Sequence, residues 1–248
     1  MRRISRRNFI TDLGRGTVGV VILGAAVVGC SDDNEVAGST TTSGLDPGTN
    51  PSPSLAWQRV SFSSVSAYVL ARGSEVAIVD TGTADVGTRF DDAFAALSVG
   101  WSDVDHVLLT HLHSDHVGGL GEVLDAAPEA KAYAGEADVA GIDSPRALTP
   151  VNDGDEVFGL QIVGTPGHTA GHVSVFDEGS GLLVAGDALV GSDGSVGGPS
   201  PNFSVDIAEA NSSVAALADL GASTVVFGHG DPVESDVAAS IDSLAQSL

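Results

Sequence analysis

The sequence predicts a layered α/β domain, and three observations carry that expectation. Apolar strand-like runs of three or four residues alternate with longer helical segments in each half of the chain. Five of those runs end in a polar residue beside a glycine or a histidine cluster: Val76–Val79 before Asp80-Thr81-Gly82, Val107–Leu109 before Thr110-His111, Leu160–Val163 before Gly164-Thr165-Pro166-Gly167-His168, Leu182–Ala185 before Gly186-Asp187, and Thr224–Phe227 before Gly228-His229-Gly230. No internal repeat is visible in the 248 residues. Five strand ends that deliver His or Asp point to one shared edge of a sheet structure, because glycine lets the backbone turn sharply there.

Taken in order, strands are expected near 57–62, 65–71 and 75–80, then a helix near 84–97. A strand at 104–110 leads into a histidine-rich loop and a helix near 117–126. Shorter elements follow over 131–141. Strands near 157–163, 172–177 and 182–186 come next, then a helix near 206–220, a strand at 223–227 and a last helix near 234–246. The segment from Gly191 to Phe203 is rich in Gly, Ser and Pro and can shape a pocket beside Asp187.

The chemistry concentrates in Thr110-His111-Leu112-His113-Ser114-Asp115-His116. His111 and His113 are two apart, so at a strand end they point to one side. Asp115 and His116 follow on the turn and reach a second point a few Å away. Nitrogen and oxygen donors at this spacing are what a borderline divalent cation asks for. A solvated polar loop explains four such groups behind a buried strand poorly.

The motif H-x-H-x-D-H, with the four accessory strand ends in this order, resembles the metallo-β-lactamase-fold hydrolase superfamily from about Leu55 onward. The resemblance implies an αββα sandwich with a two-metal site at one edge. It implies that His111, His113 and His168 hold the first metal, that Asp115, His116 and His229 hold the second, and that Asp187 bridges both. Asp80 is expected behind them, orienting the ligand loop by hydrogen bonds. His172, four residues after His168, is expected to be structural or to support the ligands from behind, and His106 to be an ordinary surface or partly buried histidine.

Two such cations hold a hydroxide between them at neutral pH, because each lowers the pKa of bound water. They also polarise a carbonyl, and Asp115 can hold a metal while accepting a hydrogen bond from the hydroxide. No Gly-x-Ser-x-Gly nucleophile elbow is present. The expected reaction is hydrolysis of a small ester, thioester, lactone or amide by two divalent metals, zinc first, with iron or manganese as alternatives.

Departures from subfamilies narrow the class. A flavodiiron oxidoreductase resembles H-x-E-x-D at the first motif, where this chain has His113. A glyoxalase II carries a helical extension, whereas this chain ends 19 residues after His229. True β-lactamases of this fold usually lack the bridging Asp. Quorum-quenching lactonases keep the ligand set but use a pocket tyrosine, and only Tyr68 and Tyr133 exist here. A carboxylic-ester or thioester hydrolase leads, then a lactonase or glyoxalase II-like thioesterase. A non-catalytic metal- or ligand-binding envelope lipoprotein and a one-iron dioxygenase stay open.

The N-terminus reads as an address. Ser5-Arg6-Arg7-Asn8-Phe9-Ile10 forms a twin-arginine export motif, and Gly16 to Gly29 follows without charge. That run is too short to span a bilayer and suits a signal peptide. It ends in Val27-Val28-Gly29-Cys30, which resembles a lipoprotein processing site. Cys30 is the only cysteine, so no intramolecular disulfide and no thiolate zinc site is expected. The expected organisation is a signal peptide over 1–29, a Ser/Thr/Gly/Pro-rich tether over 30–54 beginning at a lipid-bearing Cys30, and a catalytic domain over 55–248. The tether would reach roughly 25–30 Å, holding the domain close to a cell-envelope membrane.

The formal net charge is −23. Five arginines and one aspartate fall in residues 1–29, which leaves 5 basic against 32 acidic residues beyond. Such a surface cannot replace the counterions of nucleic acid, so nucleic acid is excluded as a partner and a small molecule is expected. The sequence leaves the oligomeric state open.

Overall fold

A computed structural model describes residues 54–248. The twin-arginine motif, Cys30 and almost all of the tether lie outside the described residues. Six strands build the first sheet in chain order: β1 (Ala56–Phe62), β2 (Val65–Arg72), β3 (Glu75–Val79), β4 (Val104–Leu109), β5 (Lys131–Gly135) and β6 (Thr149–Val151). β1, β2 and β3 are antiparallel, and β3 to β6 are parallel. Parallel neighbours need a crossover. Helix α1 (Asp91–Leu97) supplies one between β3 and β4, and α2 (Ser114–Val117) with α3 (Leu120–Ala126) supplies the next.

The second sheet has the order β13-β10-β9-β8-β7, from β7 (Glu156–Val157), β8 (Leu160–Gly164), β9 (Val173–Asp177), β10 (Leu182–Val184) and β13 (Thr224–Val226). A separate hairpin joins β11 (Val190–Ser192) to β12 (Ser195–Gly197). Helices α4 (Ile207–Ala218) and α5 (Val237–Ala245) complete the chain.

The layering follows from period-two alternation. In β2, Ala67 and Val69 turn to one cluster with Val107, Phe94 and Leu120, whereas Tyr68 and Leu70 turn to another with Ile162 and Val175. In β10, Leu182 and Val184 join that second cluster, while Leu183 packs with Val214 and Ile241 of α4 and α5. The three cores are therefore helix on sheet, sheet on sheet, and sheet on helix. The expected αββα sandwich is what the chain forms. Strands with both faces buried read as continuous apolar runs for this reason.

Differences from the expected elements have local causes. The helix expected over 84–97 forms only from Asp91, because Asp85 and Gly87 take left-handed backbone at φ 65° and 51°. The single strand expected over 157–163 is a hairpin, β7–β8. Its two-residue turn, Phe158-Gly159, has φ of 58° and 69°, as a primed hairpin turn requires. Asp193-Gly194 makes the β11–β12 turn in the same way, at 50° and 76°. Among the described residues, no helix is long and apolar enough to cross a membrane.

Candidate metal centre

The centre is built from the ends of β3, β4, β8, β10 and β13. Asp80, just past β3, takes φ 59°, which Asp tolerates better than most residues. Its Oδ1 accepts the Thr110 backbone N–H at 2.8 Å, and its Oδ2 accepts the Thr110 hydroxyl at 2.8 Å and His116 Nδ1–H at 2.7 Å. Asp80 thus fixes both the start of the histidine loop and the tautomer of His116. Thr110 Oγ1 in turn accepts His111 Nδ1–H at 3.0 Å. His229 Nδ1–H donates to the Ser64 carbonyl at 2.7 Å. In the neutral forms of His111, His116 and His229 the far nitrogen, Nε2, therefore carries the free lone pair.

Those lone pairs converge. His113 Nδ1 stands 3.0 Å from His111 Nε2 and 2.9 Å from His168 Nε2. Asp187 Oδ2 is 3.4 Å from His168 Nε2. A few Å away, His229 Nε2 is 3.3 Å from Asp115 Oδ2, and His116 Nε2 is 3.9 Å from the same oxygen. Asp187 spans the two groups. Its Oδ2 is 3.4 Å from His229 Nε2, and its Oδ1 is 3.4 Å from His116 Nε2. Within His111-His113-His168-Asp187, and again within Asp115-His116-His229, all donor atoms lie within 4.8 Å of one another.

The donor set fits a pair of cations. Three imidazole nitrogens facing one another cannot all be satisfied as hydrogen-bond partners, since His113 Nδ1 has one proton or one lone pair to offer to two neighbours. The buried His116 Nε2 and Asp187 Oδ1 have no hydrogen-bond partner at all. Such orphans are costly in a folded protein unless something polar sits between them. Nitrogen and carboxylate donors without thiolate suit zinc, iron or manganese alike.

Two residues expected to stand apart from the donors do so. His172 accepts the Asp187 backbone N–H at Nε2, 3.0 Å, and its Nδ1–H meets Thr165 Oγ1 at 2.7 Å. It orients the bridging Asp and joins neither donor group. His106 lies within β4, half-buried between Tyr133 and Phe158. One part of the sequence reading needs correction: β4 ends at Leu109, so His111 and His113 converge from a loop and not from strand alternation. Asp115 and His116 are held on the short helix α2.

Gly228 is required by close approach. A Cβ there would collide with Asp187 Oδ1 and with His116 Cε1. Glycine at this place lets β13 bring His229 in without displacing two other donors.

The sequence reading missed Asp138. It is fully buried in the loop after β5. Its Oδ2 accepts the Leu112 N–H at 3.0 Å and the Thr169 hydroxyl at 2.5 Å, and its Oδ1 accepts the Gly171 N–H at 2.8 Å. One carboxylate thus ties the loop of His111 and His113 to the loop of His168. Its partners are mostly backbone groups, which carry no sequence signature. The one available signal is an acid among Ala137, Val139 and Ala140. Asp138→Ala is expected to weaken metal affinity by about 10–100-fold, measured by competition with a chelator of known affinity. Unchanged affinity would remove Asp138 from the centre.

Protonation differs between the two groups. Burial pushes His111 well below its usual value and His168 down to about 4, so both stay neutral, the metal-binding form. Burial also opposes charge on His116, but Asp80 and Asp187 outweigh it and raise it to about 10. His229 is raised to about 10 by hydrogen bonds to Asp115 and Asp187. Asp115 is lowered, first by its bond with His229. Burial opposes the charge of Asp187, and the imidazoles of His116 and His229, each 3.4 Å away, overcome this and hold it far below the usual carboxylate range. A proton and a cation compete for the same nitrogen. Raised values mean that falling pH favours the proton at His116 and His229 first. Acidification from pH 8 to 4 should therefore release metal in two steps, with the Asp115-His116-His229 group emptied first. Metal content against pH reads this directly, and simultaneous release of both would contradict it.

Comparison with known proteins agrees with this geometry. The sequence model of the Metallo-beta-lactamase superfamily matches residues 60–229, from β1 to the last histidine of the centre. The chain belongs to the metallo-beta-lactamase superfamily. The superfamily binds two divalent metals, and the His/Asp cluster of this member provides donors for such a pair. The Beta-lactamase-like protein 2 homolog of Caenorhabditis elegans is 29% identical over 202 residues, covering 79% of this chain and 63% of that one. A hydroxyacylglutathione hydrolase of Aeromonas salmonicida is 31% identical over 164 residues, covering 64% of this chain and 58% of its own length. This superfamily member therefore spans about six tenths of either relative. A metallo-beta-lactamase family protein from Thermus thermophilus superposes with a TM-score of 0.62 at 27% identity, over 78% of each chain. TTHA1623, solved in a di-iron-bound form, superposes with a TM-score of 0.57 at 25% identity, over 71% of this chain and 92% of that one.

Proposed function

We propose that this protein is a metal-dependent hydrolase of a small ester, thioester or lactone, with His111, His113, His168, Asp115, His116 and His229 as metal ligands and Asp187 between the two metals. The observation that carries the reading is that Asp187 faces both donor groups at the floor of an open cavity of about 670 Å³. That volume falls in the range of small-molecule sites, roughly 300–1,000 Å³.

When bound, a pair of divalent cations supplies Lewis acidity and lowers the pKa of a water molecule between them. The chain's own residues do the rest. Asp115 lines the cavity with 39% of its side chain exposed and remains a carboxylate, so it accepts a hydrogen bond from an incoming water and aims it. Asp80 and His172 hold His116 and Asp187 in register. Ser64, Ser114 and Ser200 line the walls, and their hydroxyls can hold a substrate carbonyl or leaving-group oxygen. Zinc leads for the metals. The likeness to a protein solved in a di-iron-bound form favours iron as the alternative. The likeness to a hydroxyacylglutathione hydrolase favours a thioester as the second substrate reading.

Metal analysis of protein made in its native host, followed by a panel of chromogenic esters, thioesters and lactones, tests the reading. Two metals with turnover of at least one class supports it. A loaded protein inert on all classes would leave a non-catalytic binding role in its place.

The same reading extends to location. Arg6-Arg7, the uncharged run from Gly16 to Gly29 and Cys30 favour export by the twin-arginine route and a lipid anchor on Cys30 at the cell envelope. Arg6→Lys with Arg7→Lys should leave precursor in the cytoplasm. Cys30→Ser should stay active per molecule yet carry no lipid. Lipid on the Cys30→Ser protein, or wild type fractionating with cytosol, would refute it.

A further inference from the structure

We propose that the substrate is electrically neutral away from its reacting carbonyl and carries an apolar arm that lies against Phe203 and Val190. This deepens the hydrolase reading and rests on it for the reaction, but not for the binding chemistry.

The first observation is charge. Beyond the donors of the metal centre, the cavity walls are Ser64, Ser114, Val190, Ser200 and Phe203. None carries a positive charge, so beyond the metals an anion would find only serine hydroxyls here. The described residues hold only four arginines and one lysine, and all five lie elsewhere. Arg59 pairs with Asp231 and Arg72 with Asp177. Arg89 covers the Phe62 ring, Arg146 donates to carbonyls at the end of α3, and Lys131 opens β5. A substrate with a remote carboxylate would lose water at this wall and gain no cationic partner to offset the loss. The surplus of acidic side chains adds repulsion over a longer range.

The second observation is where apolar surface is left open. Among the described residues, the large apolar side chains that are exposed are Phe203 at 69%, Val205 at 74% and the terminal Leu248. Two of the three sit two residues apart on one loop, and Phe203 lines the cavity. Isolated exposed apolar residues are ordinary, but an exposed aromatic side chain that lines a reaction site, with a second apolar residue on the same loop, offers a binding wall.

The third observation is that this wall is fixed to the centre. The Val205 N–H donates to the His168 carbonyl at 3.2 Å, and the Asp206 N–H to the Gly167 carbonyl at 2.9 Å. Asp206 then caps α4 by accepting the Ala208 and Glu209 N–H groups, each at 3.0 Å. Phe203 itself is turned by its N–H to the Ser200 carbonyl at 3.2 Å. The backbone that carries the aromatic ring is thus tied to the loop of a donor histidine. Val190, also in the cavity wall, is on the β11–β12 hairpin, which is anchored through the Gly191 N–H to the His229 carbonyl at 2.9 Å.

Two measurements test the proposal. The first needs no turnover. N-phenyl-1-naphthylamine and 1-anilinonaphthalene-8-sulfonate share a skeleton, and only the second is anionic. With the metal-loaded full chain, fluorescence titration should show the neutral probe binding one to one, at least tenfold tighter than the sulfonate. Phe203→Ala should weaken the neutral probe about fivefold or more. The second measurement follows kcat/KM on 4-methylumbelliferyl acetate, butyrate, hexanoate and hemiglutarate. Neutral chains should gain about three- to fourfold per methylene, chiefly in KM. The hemiglutarate should fall below the butyrate by tenfold or more. Phe203→Ala should flatten the neutral series, and Phe203→Arg should shift the hemiglutarate-to-butyrate ratio upward at least tenfold. Preference for the sulfonate or the hemiglutarate, or a chain-length series that Phe203→Ala leaves unchanged, overturns the proposal while leaving the hydrolase reading intact. Neutral-probe binding that depends on Phe203, with no ester, thioester or lactone cleaved, overturns the hydrolase reading and leaves the binding chemistry standing.

Discussion

His113→Ala is expected to release metal and abolish turnover, while His106→Ala leaves both nearly intact. His113 Nδ1 is the shared vertex of the first donor group, within 3.0 Å of both His111 Nε2 and His168 Nε2. Removing it leaves two nitrogens and one carboxylate oxygen. Changing a partner behind a ligand typically costs about 10–100-fold in metal affinity, and losing the ligand itself should cost more. His106 instead stacks with Tyr133 and Phe158 in β4. Its loss should cost stability on the order of 1 kcal/mol through packing and nothing at the centre. Metal content and kcat of the two variants, compared with wild type, settle the point. Equal losses from both would refute the assignment.

The contrast also shows what the sequence makes legible. Donor residues announce themselves, because metal chemistry admits few side chains and the fold delivers them at strand ends next to glycine. All seven expected donors fall into the two compact groups. The layers are equally legible, since Ala67-Tyr68-Val69-Leu70 must place alternate residues in different cores. What hides is support made through backbone groups. Asp138 ties two donor loops by accepting amide hydrogens, and any residue type can donate those. Short elements hide too. β6, β11 and β12 have three residues each, too few for periodicity to register. The β11–β12 turn did leave a mark in Asp193-Gly194, a dipeptide that favours a primed hairpin turn. That turn sets Val190 at the start of a hairpin beside the cavity. The helix expected over 84–97 failed for the converse reason. Its propensity was adequate, but left-handed backbone at Asp85 and Gly87 delays the helix to Asp91.

Asp187→Asn carries the second large effect. The substitution keeps size and shape and removes the charge, so folding should be little affected. Asp187 is the only one of the seven expected donors that reaches both groups, with 3.4 Å contacts to His168, His229 and His116. An amide in its place offers one oxygen and no charge. Metal content of the loaded protein should fall from two per chain toward one, with the Asp115-His116-His229 group losing occupancy first. Turnover should drop by at least about 100-fold, because aim and charge balance fail together. A further readout is independent of activity. In metal-free protein Asp187 helps to raise His116 and His229, so both imidazoles should titrate at lower pH in the variant, followed by proton NMR. Active, fully loaded wild type with a single metal per chain would sink the dinuclear assignment. An Asp187→Asn variant with two metals and undiminished kcat would sink the bridging role alone.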